Sequence, residues 1–504
     1  MMISHFLRCK LLLNQLVKKT NVTILFCLLI VMPSVSQTLS VTNLIKQNAV
    51  LQRNTNVNIW GEGTPGNLVT ITLGNENSVT TKISDKGSWS VKIPTGDAGG
   101  PYTLNIKDKT KTYNFGGILL GEVWLCSGQS NMGMPMKGWG AGGTIVNASQ
   151  EISAANFPKI RVFRVAKKAS YLQENEVFGK WVICNPDNAK HFSATAYFFA
   201  RELYKKLNVP IGVIVAARGN SKGEAWTSSN SLTAINGFEN VMADLEIAKQ
   251  TPNTGKYKID HINNGQQGFN TPGAIYNGMI YPVTPYTIKG VTWYQGENNS
   301  GDGIQYRDIL RNLITEWRTA FKNVNMPFYI AQITPYEYNV NAKSQEVREA
   351  QFLAQNIPDV GTAVLLDTGE RKQIHPSKKQ EAGMRLAFWA LAKQYNQNVA
   401  YSGPTYISSE FESGKGILKF SHNKGLKITG DGNFEIAGEN GDFKKANAVV
   451  KNGTIELTSS TVPNPTQARY AWFNWVEATL FNGDNLPASS FRTTVPGIPK
   501  STIK

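Results

Sequence analysis

The chain has 504 residues, of which 41% are hydrophobic and 17% charged, a balance that excludes an intrinsically disordered protein. That length predicts roughly two to four domains rather than one simple core. The formal charge is +16, yet Lys and Arg are scattered with no basic run interleaved with aromatics, which argues against a nucleic-acid partner.

In chain order, residues 1–36 read as a targeting segment. Arg8, Lys10, Lys18 and Lys19 form a basic stretch without an acid. The apolar run from Val22 to Met32 is too short for a comfortable bilayer span, and Pro33-Ser34-Val35-Ser36 supplies small residues before Gln37. The expectation is a signal peptide and an exported protein, periplasmic or extracellular, with no stable membrane span. Removing the leader takes away four basic side chains and leaves a charge of +12. A generally basic exported surface follows.

Residues 37–115 carry short strand-like runs. Examples are Val57-Asn58-Ile59-Trp60, Leu68 to Leu73 and Ser88 to Ile93, punctuated by Gly61-Glu62-Gly63, Pro65-Gly66 and Asp85-Lys86-Gly87. This spacing predicts an N-terminal β-sandwich.

Residues 116–398 alternate strands and helices. The expected strands are Val123–Cys126, Gly212–Ala216, Ile288–Tyr294, Phe328–Ile333 and Ala363–Leu366. The expected helices are Phe192 to Leu207, Tyr306 to Phe321 and Ser377 to Tyr395. In the second of these, Tyr306, Leu310, Leu313, Trp317 and Phe321 share one face. The pattern predicts an α/β fold: a three-layer α/β/α core around a five-stranded parallel sheet. Residues 228–275 are Asn/Gly-rich and read as a helical insertion or a substrate-facing loop. Residues 399–504 return to short strands, such as Ile417 to Phe420 and Thr454 to Leu457. They form a C-terminal β-rich module, with Ala468 to Phe473 packing it back on the core.

The chemistry concentrates where apolar strands stop. Trp124-Leu125-Cys126 breaks into Ser127-Gly128-Gln129-Ser130-Asn131-Met132. A strand end of this kind holds one hydroxyl at the rim of a sheet, as a nucleophile or as the N-cap of a following helix. The strand through Ala216-Ala217 ends in Arg218-Gly219-Asn220, and the strand through Trp293-Tyr294 ends in Gln295-Gly296-Glu297-Asn298-Asn299. After Val364-Leu365-Leu366 comes a loop with Ile374-His375-Pro376. The carboxyl ends of parallel strands converge on one crevice. Ser130 as nucleophile, His375 as general base and the Gly219 and amide clusters as oxyanion donors make up the inventory for acyl transfer. Cys126 reads as a packed, inert thiol, and whether it pairs with Cys184 is left open by the spacing. No C-x-x-C, H-E-x-x-H or clustered His/Asp pattern indicates a metal, and the chemistry needs no cofactor.

The blocks GEVWLCSGQSNM, Gly219-Asn220 through Glu224-Ala225-Trp226, IKGVTWYQGENN and IHPSKKQEAGMRLA resemble, in this order, those of the sialate O-acetylesterase branch of the SGNH hydrolases. The resemblance runs from about Asn48 to Arg492. It implies an SGNH-type core and an oxyanion hole built from the backbone N–H groups of Ser130 and Gly219. Asn298 matches the superfamily's glycine-x-asparagine block, with Gln295 as a competing side-chain donor. Glu297 reads as a buried scaffold carboxylate.

Besides Asn298, where closer relatives commonly carry a serine, the chain departs from the family at two places. Arg218 stands where a tryptophan is usual, facing either an acidic sugar or a structural ion pair. The acid that commonly precedes the histidine is absent, since those positions are Lys372 and Gln373. The third member of the triad is therefore Asp367, Glu370, Gln373 or a backbone carbonyl.

The expected function is hydrolysis of O-acetyl esters of sialic acid through an acetyl-serine intermediate, with an O-acetylated carbohydrate as partner. Acetylated xylan or another plant glycan is the alternative substrate. A carbohydrate-binding protein with a degenerate hydrolase core is the alternative of another class.

Overall fold

The computed structural model describes residues 38–74, 77–250 and 268–495. The expected signal peptide lies outside the described residues. Among the described residues no helix is long and apolar enough to cross a membrane.

The core is a mixed sheet whose strands run in the order Val360–Ala363, Phe328–Ala331, Gly290–Tyr294, Thr112–Gly128, Ile211–Ala217, Phe157–Arg164 and Trp181–Cys184. The first six are mutually parallel, and Trp181–Cys184 joins the edge antiparallel. The expected five-stranded parallel sheet thus gains Phe157–Arg164. The expected strand over Ala363–Leu366 lies three residues earlier, at Val360–Ala363. Val364, Leu365 and Leu366 are buried without being sheet, so an apolar run alone does not mark the strand end.

The strands are apolar on both faces because helices cover both. Along Thr112–Gly128 the side chains alternate: Val123 and Leu125 enter one core with Trp293, Trp317 and Val347, while Trp124 and Cys126 enter another with Phe198, Phe199 and Leu386. The helices Gly303–Ala320 and Ser344–Leu353 cover the first face, and Ala194–Leu207 and Lys379–Gln394 the second. Asp302 caps Gly303–Ala320 by accepting from the Gln305 N–H at 2.9 Å, and Ser193 caps Ala194–Leu207 by accepting from the Ala196 N–H at 3.1 Å. Within the expected 228–275 insertion, residues 228–250 include the short helices Ser229–Leu232 and Val241–Gln250, and residues 251–267 lie outside the described residues.

The N-terminal region pairs Leu68–Leu73 with Asn77–Lys82 and Gly99–Lys107, and Asn56–Glu62 with Ser88–Pro94. No linker separates it from the core. Thr112–Gly128 is one 17-residue strand, pairing with Gly99–Lys107 in its first half and with Ile211–Ala217 in its second. The C-terminal β region docks through Arg348, which is fully buried and donates to the Phe473 carbonyl at 2.5 Å and to Ser490 Oγ at 3.0 Å. Arg492 adds a two-pronged bond to Glu349. Both Cys126 and Cys184 are buried free thiols. Burial pushes the Cys126 thiol up to about 12, out of nucleophilic range.

Candidate active site

At the end of the central strand, Gly128 takes φ +140°. A Cβ there would sit 2.1 Å from the Tyr294 carbonyl oxygen, so only glycine permits the turn. The Gln129 N–H donates to that same carbonyl at 2.9 Å, and the chain enters the one-turn helix Ser130–Gly133. Gln129 is the N-cap residue and no side chain caps the helix, so the Ser130 hydroxyl has no capping role. Being in the first helical turn, the Ser130 N–H has no intrahelical acceptor.

The neighbouring strand delivers Gly219 to the same place. The Arg218 N–H donates to the Gly128 carbonyl at 3.0 Å, and a Cβ on Gly219 would lie 3.5 Å from Ser130 Cβ. On the other side, Gly296 takes φ +148° and donates its N–H to Gln129 Oε1 at 3.2 Å, turning Asn298 toward the serine loop. Asn298 Nδ2 donates to the Asn220 carbonyl at 3.0 Å and keeps a second N–H.

These elements and the His375 loop enclose a cavity of about 390 Å³. It is lined by Gln129, Ser130, Arg218, Gly219, Asn220, Glu297, Asn298, Ile374 and His375. Ser130, Gly219, Asn298 and His375 therefore converge. Gln295 does not. Its side chain is completely buried, and both amide hydrogens are spent, on the Ser221 carbonyl at 3.0 Å and Asn299 Oδ1 at 2.8 Å. The expectation of Gln295 as a competing oxyanion donor is corrected by that placement.

His375 Nδ1 lies 2.9 Å from the Gly142 carbonyl oxygen. A carbonyl only accepts, so Nδ1 carries the proton and Nε2 keeps the basic lone pair. The other candidates for the third position are engaged elsewhere. Asp367 forms a two-pronged ion pair with Arg385 at 2.6 and 2.7 Å. Glu370 accepts from the Ser377 N–H and hydroxyl at 2.7 and 2.6 Å, and Gln373 Oε1 accepts from the His375 backbone N–H at 3.1 Å. Burial holds the imidazole below its ordinary value, against the Gly142 bond that raises it, and the Lys379 charge lowers it further. His375 is thus neutral, and able to accept a proton, at neutral pH.

Arg218 is nine-tenths buried. Its guanidinium stacks over Phe269 at 4.3 Å, Nη1 donates to the Gly219 carbonyl at 2.8 Å, and Nε has no partner. Among the described residues no carboxylate pairs with it. Glu297 is buried with Oε1 accepting from Asn131 Nδ2 at 2.5 Å, the arrangement of a scaffold carboxylate; burial raises its pKa more than that bond lowers it. Among the described residues no group of three or more His, Cys, Asp or Glu side chains is placed to hold a metal ion.

Sequence reasoning missed Gly142, Asn131, Lys379 and Trp139, whose indole meets the His375 ring edge-on at 5.0 Å. The glycine-rich run 138–143 was the available signal for the loop that carries both Trp139 and Gly142. Asn131 and Lys379 lay inside the quoted blocks beside Ser130 and His375.

A family model described as carbohydrate esterase, sialic acid-specific acetylesterase matches residues 120–392. Human sialate O-acetylesterase is 28% identical over 471 residues, covering 83% of this chain and 84% of that protein; the Pongo abelii protein of that name is 28% identical over 470 residues with the same coverage. The crystal structure of a carbohydrate acetylesterase from Xanthomonas citri superposes with a TM-score of 0.81 at 30% identity, over 91% of this chain and 100% of that one. The chain is a carboxylic ester hydrolase acting as a carbohydrate esterase. It belongs to the sialic acid-specific acetylesterase family of carbohydrate esterases.

Proposed function

We propose that this chain is an exported serine esterase that removes O-acetyl groups from sialic acid. The observation that carries the reading is the convergence of Ser130, Gly219, Asn298 and His375 on one cavity, with His375 Nδ1 tied to a carbonyl and Nε2 left basic. Ser130 Oγ attacks the acetyl carbonyl carbon while Nε2 takes the hydroxyl proton. The negative oxygen of the tetrahedral intermediate is met by the Ser130 and Gly219 N–H groups and by Asn298 Nδ2. Collapse breaks the bond to the sugar oxygen, which receives the proton from His375. Water, deprotonated by the same nitrogen, then attacks the acetyl-serine; the bond between the acyl carbon and Ser130 Oγ breaks, Oγ takes the proton back from His375, and acetate leaves. Export rests on the basic and apolar leader of residues 1–36.

Asn298→Ala is expected to lower kcat by roughly 10²–10³-fold with little change in KM, the usual loss for one oxyanion donor. Steady-state kinetics on a chromogenic acetate ester would measure it. An unchanged kcat would leave the hole to backbone groups alone.

Choice of sugar is supported by Arg218, a cation on the cavity wall held by Phe269 and the Gly219 carbonyl and by no carboxylate among the described residues. Sialic acid carries a carboxylate that can meet it, and xylan does not. A charged hydrogen bond contributes about 1.5–3 kcal/mol, or roughly 10–10²-fold in affinity. The test compares acetate release from O-acetyl sialic acid and from acetylxylan in the parent and in Arg218→Met. Parent activity should favour the sialic acid, and the substitution should reduce kcat/KM on it about 10-fold or more beyond any loss on the neutral polymer. Preference for acetylxylan, or equal losses on both, would refute the assignment.

A further inference from the structure

Lys379 is the first residue of the helix Lys379–Gln394 and is only 1% exposed. A buried ammonium at the positive end of a helix is unfavourable on two counts, desolvation and the helix dipole. Its contacts show what it is held for. Nζ donates to Asn131 Oδ1 at 2.8 Å and to the Pro376 carbonyl at 2.6 Å. Asn131, itself fully buried, donates through Nδ2 to Glu297 Oε1 at 2.5 Å and to the Ile374 carbonyl at 3.1 Å. The backbone is therefore gripped on both sides of His375, and both grips are referred to Asn131, the residue after Ser130.

We propose that Asn131, Glu297 and Lys379 are positioning residues, a buried strut that fixes the His375 backbone relative to Ser130. The reading rests on Ser130 and His375 being the reacting pair. In an acid-containing triad a carboxylate orients the imidazole through Nδ1. Here Nδ1 meets only the neutral Gly142 carbonyl, on a loop with left-handed glycines at 138 and 140. Clamping the backbone on both flanks replaces the orienting contact that the missing acid would make. The charges fit this role. Glu297 and Lys379 are an acid and a base joined through one amide, and burial raises the first and lowers the second. Glu370 also faces Lys379, and Tyr294 and Tyr338 face Glu297. Burial lowers Lys379 to about 7 against the pull of Glu297 and Glu370, and its charge in turn lowers His375.

Lys379→Met, the double variant Glu297→Gln/Lys379→Met, and the isosteric Asn131→Asp test the strut in the full chain. Reacting sites are counted by titration with an organophosphate. A misplacement of about 1 Å at a reacting group costs roughly 10²-fold. The expected result is a kcat per titrated site lowered roughly 10–10²-fold with KM within about two-fold. In Lys379→Met the acid limb of kcat/KM should also move to higher pH, because His375 loses a neighbouring positive charge. A purely structural residue would lower the number of titratable sites without changing either quantity. The double variant leaves neither charge unpaired and so separates misfolding from mispositioning. A folded variant with parental kcat per site and parental acid limb overturns the proposal, and so does failure of all three to accumulate folded. Ser130→Ala and His375→Ala serve as controls: if either retains acetate release, it is the reacting pair that is wrongly assigned, not the strut.

Discussion

Ser130→Ala is expected to abolish acetate release, with a loss in kcat on the order of 10⁶-fold, the size seen when a serine nucleophile is removed from a hydrolase. The residual rate would come from binding and the oxyanion donors alone. The fold should be untouched. The hydroxyl makes no capping bond, and the turn that presents it depends on Gly128 and on backbone bonds from Gln129. Circular dichroism and the thermal midpoint should match the parent. In the parent, an organophosphate should leave its adduct on Ser130 by peptide mass spectrometry. Full activity in the variant, or an adduct on another residue, would sink the assignment.

The strand-end position of Ser130 was legible because both ingredients are local: an apolar strand and an abrupt small, polar stop. The same holds for the positions of Gly219 and Asn298, each just beyond a buried strand, whereas His375 lies in the loop well past Val360–Ala363 and was legible from its block alone. The Phe157–Arg164 strand was not legible, because Pro158, Lys159 and Arg161 interrupt its apolar pattern. The structure explains why that is tolerated. Arg161 is buried, and its guanidinium is satisfied by the carbonyls of Pro158 and Asn48. Gln295 was misjudged because position in a block does not tell which way a side chain points. It faces inward, where both of its N–H groups are used. The Gly142 contact was legible only as a class, a backbone carbonyl among four candidates. It joins residues 233 positions apart, and a carbonyl has no side-chain signature.

That contact sets the second large effect. His375→Ala should lower kcat about as much as loss of the serine, since in such pairs removing either partner costs nearly the whole effect. Substitutions at the three side-chain candidates should not. Gln373→Ala removes an acceptor of the His375 backbone N–H, and Glu370→Gln weakens a loop bond to Ser377. Each should leave kcat within about 10-fold, because neither group reaches the imidazole. Asp367→Asn breaks the pair with Arg385, so its cost should appear as a lower thermal midpoint with turnover retained. The pH profile separates the cases further. With the imidazole held below its ordinary value of 6.5, kcat/KM should fall only as pH drops through that lower value, and should stay level near neutrality. An acid on Nδ1 would instead raise the imidazole and move that limb upward. A loss of about 10³-fold in kcat on Glu370→Gln or Asp367→Asn, with folding intact, would mean that a carboxylate reaches His375 during turnover, and that the Gly142 carbonyl is not the partner that orients the base.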